Sequence, residues 1–126
     1  MLLVKAIVKR TKNELVATII TYLRKLDAFI KTDDSRLMTA PEEDIVLTED
    51  EFAGAMPKIR VEVDNSYLDV EERIYETLPI HKIVLCEGEF YVGAGENAEL
   101  HEDDLTIDEL ARVAQFLETE WEKTQQ

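Results

Sequence analysis

The densest group of chemically active side chains occurs late in the chain. Glu99, His101, Glu102, Asp103 and Asp104 are five potential metal ligands within six residues. Carboxylate oxygens and an imidazole could together hold a hard divalent cation. The run lacks the ligand order of an EF-hand loop, and the single cysteine and two histidines of the chain are too few for a typical zinc site. We therefore predict a solvated acidic loop before a helix, with no metal or other cofactor.

The two histidines, His81 and His101, are the candidates for acid–base catalysis. A histidine base needs a carboxylate that orients it and a nucleophile within reach. Ser35 and Ser66 occur in turn-like sequence, and neither belongs to the G-x-S-x-G motif of a serine hydrolase. A small metal-dependent hydrolase that uses both histidines and nearby carboxylates is the enzymatic alternative, and the leading expectation is a protein without catalytic activity.

The single cysteine, Cys86, follows the apolar residues Ile83, Val84 and Leu85, which predicts a buried side chain. The acidic neighbours of Cys86 would disfavour a reactive thiolate. One cysteine forms no intramolecular disulfide, so the expected compartment is a reducing cytoplasm.

Phosphate-bearing ligands do not fit the sequence. The Gly93-Ala94-Gly95 run lacks the third glycine and the following helix start of a dinucleotide-binding loop. The chain has 14 Lys and Arg against 28 Asp and Glu, a net charge of −14. Nucleic-acid binding draws its affinity from phosphate neutralisation by basic side chains, so we expect no nucleic-acid partner.

The charge is unevenly distributed along the chain. Residues 1–36 carry 8 basic and 4 acidic groups, a net charge of +4, whereas residues 37–126 carry 6 basic and 24 acidic groups, a net charge of −18. Residues 83–111 hold nine carboxylates and no lysine or arginine. The sequence therefore predicts a molecule with a basic first part and an acidic remainder.

The leading functional hypothesis is a non-catalytic interaction or regulatory protein that binds a protein partner, with a basic one fitting best, through its acidic surface. The carboxylates expected to form that surface are Glu42, Glu43, Asp44, Glu49, Asp50, Glu51, Glu96, Glu99, Glu102, Asp103 and Asp104. Acidity that serves only solubility is one alternative. Another is a self-associating homo-oligomer in which the basic first element of one copy meets the acidic surface of the next.

The length of 126 residues and the 45% hydrophobic content predict one globular domain spanning residues 1–126. No apolar stretch is long enough for a membrane span, and no signal-peptide pattern precedes Lys5. We therefore expect no membrane contact.

The first elements expected are a strand over Leu2–Val8 and a helix that begins at a capping box, Thr11 to Glu14. The apolar stripe of this helix has a helical period and comprises Leu15, Ile19, Tyr22, Leu23, Leu26 and Ile30. Because the β-branched run over 16–21 also suits a strand, a hairpin through Ala17–Tyr22 stays open as an alternative.

Further along, residues 45–47 and 58–63 are predicted strands. A second capping box, Thr48 to Glu51, predicts a short helix that holds Phe52 and Met56. A third helix is expected after Ser66, with its apolar face formed by Tyr67, Val70, Ile74 and Leu78.

The last third of the chain predicts a central strand over Ile80–Cys86, with His81 pointing inward, a turn at Glu87-Gly88 and a return strand over 90–92. A third capping box, Thr106 to Glu109, opens the final helix. The apolar stripe of that helix comprises Ile107, Leu110, Val113, Ala114, Leu117 and Trp121.

Together these elements predict an α+β fold. We expect a two-layer sandwich with a small antiparallel or mixed sheet and about three to four helices packed mainly on one face.

Overall fold

The computed structural model describes residues 10–31, 44–63, 73–95 and 98–125. It is an α+β structure with two α-helices and a five-stranded antiparallel sheet. The elements are α1 (Lys12–Lys31), β1 (Ile45–Thr48), β2 (Lys58–Val63), β3 (Ile74–Cys86), β4 (Glu89–Ala94), β5 (Ala98–His101) and α2 (Ile107–Thr124).

The sheet is organised around β3, its longest strand. β1 and β2 pair with different stretches of β3, β4 pairs with β3 through a tight hairpin, and β5 pairs with β4. The hairpin turn places both Glu87 and Gly88 at positive φ, at 52° and 81°. Two consecutive positive φ values match the twist of the flanking strands. The predicted central strand and its turn are confirmed.

α1 confirms the helical interpretation of the first apolar stripe and excludes the hairpin alternative. Its capping box forms as predicted, because the Glu14 N–H donates to the Thr11 hydroxyl at 3.2 Å and the Glu14 carboxylate accepts from the Thr11 N–H at 3.4 Å. Leu15, Ile19 and Leu23 are buried. Ile30 at the end of the stripe is 38% exposed, so the predicted stripe is longer than the buried one.

α2 begins at the predicted cap. The Thr106 hydroxyl accepts from the Glu109 N–H at 3.1 Å, and the Glu109 carboxylate accepts from the Thr106 N–H at 2.9 Å. The predicted stripe is confirmed for Leu110, Val113, Ala114 and Leu117, which are buried. Ile107 is instead 55% exposed.

The helix count and two predicted helices are wrong. The described residues contain two α-helices rather than three to four. The capping box at Thr48 opens only a single 3₁₀ turn, Glu49–Glu51, and Phe52 is extended. The third predicted helix is wrong over its second half, because Ile74 and Leu78 belong to β3 and pair with β2, whereas Tyr67 and Val70 lie outside the described residues.

The buried face of the sheet and the helices share one hydrophobic core. Its sheet residues alternate with outward residues, as a sheet covered on one side requires, except at the irregularity of β3 after Ile80 and at the end of β4. They are Ile45, Leu47, Ile59, Val61, Ile80, Ile83, Leu85, Phe90, Val92 and Ala94. The helices add Leu15, Ile19, Leu23, Leu26, Leu110, Val113, Ala114 and Leu117. The expected α+β class with an antiparallel sheet is confirmed.

The predicted strand over Leu2–Val8 lies outside the described residues. Of the described helices, neither is long and apolar enough to cross a membrane.

Candidate binding face of the sheet

The predicted acidic surface does not form one continuous patch among the described residues. Glu42, Glu43 and Glu96 lie outside them. Glu49–Glu51 follow β1, whereas Glu99–Asp104 lie in β5 and the 3₁₀ turn after it. β1 and β5 are at the two ends of the strand order β1-β3-β4-β5. Three strand spacings, about 14 Å, therefore separate the two groups.

Several of the predicted partner-binding carboxylates bind the backbone of their own chain. Glu51 accepts the Thr48 N–H, and Asp104 accepts the His101 N–H at 3.0 Å. Glu102 accepts the Phe90 N–H at 3.1 Å. Phe90 lies just before Tyr91, where the pairing of β4 with β5 begins. Since these side chains satisfy strand-end amides, their first role is structural.

Three described carboxylates, Asp27, Glu109 and Glu120, are buried, and the sequence predicted burial for none of them. Glu109 is 4% exposed and holds the edge of β2, because it accepts the Arg60 N–H at 2.7 Å in addition to its capping bond. Glu120 is 5% exposed and accepts the Gly54 N–H at 2.7 Å. The capping box indicated where Glu109 would lie, but nothing local indicated that it would also reach β2.

The face of the sheet opposite the helices carries a small array of side chains, which we call the open face. Its residues alternate with the buried ones and are related by the strand register. One row holds Asp44, Cys86 and Glu89; the central row holds Val46, Val84, Tyr91 and His101; the third row holds Thr48, Lys82, Gly93 and Glu99.

The central row is the apolar part of the open face. Val46 is 54% exposed, and Val84 and Tyr91 are half-buried although no described element covers them. The Tyr91 ring meets the His101 ring edge-on, with their centroids 5.1 Å apart. Three apolar residues in register on a face that no described element covers are a candidate contact surface for another molecule.

The row beside it is acidic and disfavours anions. Cys86 is half-buried on this face, which corrects its predicted burial in the core. A hydrogen bond to Asp44 raises the pKa of the Cys86 thiol, and burial and the charges of Asp44 and Glu87 raise it further. Burial raises the pKa of Tyr91, and nearby carboxylates such as Glu89 raise it further. The local field therefore favours cations.

The third row contains a lysine, Lys82. Lys82 lies across Gly93, since a Cβ placed on that glycine would be 2.8 Å from the Lys82 Cγ atom. The missing side chain thus makes room for the aliphatic stem of the lysine, which leaves the charge near the rim. Exposed Glu99 lies next along this row.

His81 does not point inward with Ile83, which corrects the prediction. The register between β3 and β4 shifts between Ile80 and Lys82, and Ile80 is fully buried. The irregularity changes the parity of the strand, so the residues on either side of it alternate out of step. His81 is half-buried, and its ring would lie 3.1 Å from a Cβ placed on Gly93.

Among the described residues, the potential metal ligands that cluster are Glu89, His101 and Glu102, whose ligand atoms lie within 4.8 Å of one another. His101 Nδ1 accepts the Asp103 N–H at 3.1 Å, which places the hydrogen of the neutral ring on Nε2, 3.4 Å from Glu89. A metal-bound histidine normally donates its second N–H instead. A protonated ring would pair with Glu89 and, at 3.4 Å, with Asp103. Groups of the protein itself therefore already contact both ring nitrogens of His101.

A groove lies between the C-terminal ends of α1 and α2. It encloses about 360 Å³ and is lined mainly by Leu26, Phe29, Ile30 and Phe52. The groove adjoins residue 31, where the described part of α1 ends, and residues 32–43 are outside the described ranges.

No protein-family model matches the chain, and neither curated proteins nor solved structures give a significant match.

Proposed function

We propose that the protein is a non-catalytic binding module whose open face takes a basic partner protein. The observation that carries the proposal is the apolar central row, Val46, Val84 and Tyr91, with carboxylates on both sides of it. Apolar contacts at the centre of an interface supply affinity, and charges around them accelerate encounter and select the partner.

The open face supports this proposal better than the scattered acidic residues do. Asp44 and Glu99 are the members of the predicted surface that lie beside the central row, and Glu89 joins them from β4. Glu51, Glu102 and Asp104 already accept amides of their own chain. The proposed contact surface is thus narrower than the acidity of the sequence suggested.

The hydrolase alternative gains no support from the described site. His81 lies against Gly93, and it is not among the residues that cluster with His101. Both nitrogens of His101 face groups of the protein itself. A general base needs a free nitrogen aimed at the proton that it removes.

Self-association through the basic first element is also not favoured. Arg10 pairs with Glu118 at 3.0 Å, and Lys12 donates to the Asp103 carbonyl at 3.1 Å. These basic groups are therefore bound within the chain and contribute less to contact with a second copy.

The test compares two substitutions at apolar positions of nearly equal exposure. Val46→Lys changes the open face, and Ile107→Lys changes the first turn of α2; the exposed fractions are 54% and 55%. Immobilised wild-type protein and both variants are offered a native extract, and the captured proteins are identified and their affinities measured. We expect a basic protein that binds wild type and Ile107→Lys, with affinity lost by at least about tenfold for Val46→Lys. Equal binding to both variants would refute the proposal.

A further inference from the structure

Each described edge of the sheet has one or two backbone groups that are already bound within the chain. The Thr48 N–H at the end of β1 is bound by Glu51, and the His101 N–H at the end of β5 is bound by Asp104. On β2, α2 side chains bind the Arg60 N–H and the Lys58 carbonyl. A partner that adds a strand needs unpaired edge groups. These bonds disfavour strand addition at those positions and favour a partner that contacts the side chains of the face.

The spacing along the central row matches a helix better than an extended peptide. Val46, Val84, Tyr91 and His101 lie on four neighbouring strands, so their Cα atoms repeat at about 4.8 Å. Side chains on one face of a helix repeat at about 5.4 Å per turn. Those on one face of an extended peptide repeat every second residue, at about 6.6 Å.

Charge lies on both flanks of the central row. Asp44 and Glu89 are on one side. Glu99 is on the other side, in the same row as Lys82 but two strand spacings, about 10 Å, away from it. Each flanking row is two residues along the strands from the central one, about 6.6 Å away. Basic side chains on either side of an apolar helical stripe reach that distance, because the stems of lysine and arginine are long and flexible.

We propose that the open face binds an amphipathic α-helix that lies along the central row with its apolar stripe on Val46, Val84 and Tyr91. This rests on the proposed function and names the partner element. The row spans three strand spacings, about 14 Å, which corresponds to roughly ten helical residues. The helix carries lysine or arginine on both sides of its stripe, opposite Glu89 and Glu99.

The experiment uses two isomeric peptides of leucine and lysine, each of roughly 18 residues or five helical turns. In one peptide the leucines repeat with helical periodicity, and in the other they alternate as in a strand. Each is titrated into the ¹⁵N-labelled full chain, and amide shifts and affinities are recorded. We expect the helical peptide to bind at least about tenfold more tightly and to shift the amides of Val46, Val84 and Tyr91.

Charge reversal supplies the matched control. Glu99→Lys changes a residue of the open face, and Glu122→Lys changes an exposed residue of α2. We expect Glu99→Lys to weaken the helical peptide by about tenfold and Glu122→Lys to leave its affinity within about twofold. Equal loss in both variants, or shifts spread over α2, would show only general attraction to an acidic protein and would overturn the inference.

The remaining outcomes separate this inference from the proposed function. Tighter binding of the alternating peptide would overturn the helix while leaving a face-dependent partner in place. Sedimentation of the chain alone that shows a dimer broken by Val46→Lys would assign the face to a second copy and overturn both. If Lys5→Glu/Lys9→Glu alone shifts the same open-face amides, the first residues of the chain are the occupant, and the partner helix is refuted.

Discussion

The two faces of the sheet use the same strands in opposite ways. On the covered face, Ile83, Phe90 and Val92 are fully buried against the helices. On the open face, their immediate neighbours include Val84 and Tyr91, which are half-buried with no described element above them. A two-layer fold needs apolar residues only on the covered face. Apolar residues in a cross-strand row on the other face are therefore available for a second purpose.

Phe90 and Tyr91 are adjacent in β4 and lie on opposite faces of the sheet. Phe90→Ala should destabilise the protein by about 3–5 kcal/mol, because it removes a fully buried ring and leaves a cavity. Tyr91→Ala should cost less, because the ring is only partly buried; its edge-on contact with His101 accounts for about 0.5–1.5 kcal/mol of that cost. Urea denaturation of both variants measures the difference. Equal losses of stability would mean that the two faces are not distinct.

The covered layer also depends on Glu109. Glu109→Gln should lower the free energy of unfolding by about 1–3 kcal/mol, because the amide presents a donor where the carboxylate accepts two backbone N–H groups. The exposed neighbour supplies the control, since Asp108→Asn keeps the helix start but touches neither amide. If thermal or urea unfolding shows no difference between these variants, Glu109 does not hold β2.

The alkylation rate of Cys86 should report on the charges of the open face. Asp44→Asn should lower the pKa of the Cys86 thiol and speed its alkylation severalfold at mildly alkaline pH, since the raised pKa comes first from Asp44. In the wild type, the thiol hydrogen bond is intact below the unfolded pKa and is lost as pH rises through the raised folded pKa. If iodoacetamide alkylates Cys86 at the same rate in Asp44→Asn and in the wild type, Asp44 does not control the pKa of the Cys86 thiol.

Salt should have the smallest effect, and it acts on the whole surface. A net charge of −14 repels itself, and the ion pair between Arg10 and Glu118 is open to solvent and therefore screened by salt. Added NaCl screens this repulsion, so the Tm should rise by a few degrees. A steady fall of the Tm in a calorimetric salt series would contradict this expectation.

Local signals in the sequence predicted the features that local physics determines. The caps at Thr11 and Thr106 and the turn at Glu87-Gly88 form as expected. The short segment after Thr48 shows the limit of such a signal, because a capping box satisfies the first amides without extending the helix beyond Glu51.

Non-local pairing decided what the sequence did not show. Ile74 and Leu78 are four residues apart, which puts them on one face of a helix and equally on one face of a strand. Their pairing with β2 selects the strand. The open face needs the register of four strands, so Val46 and Tyr91 could not be recognised as neighbours in one row from their separate positions.

Carboxyl footprinting of the protein with its captured partner tests the central claim most directly, because each accessible Asp and Glu reports separately on its burial. We predict that partner binding protects Asp44, Glu89 and Glu99 from modification and leaves Asp108 and Glu122 of α2 unchanged. Protection of the α2 carboxylates with none at Glu89 and Glu99 would contradict the claim that the open face is the binding surface.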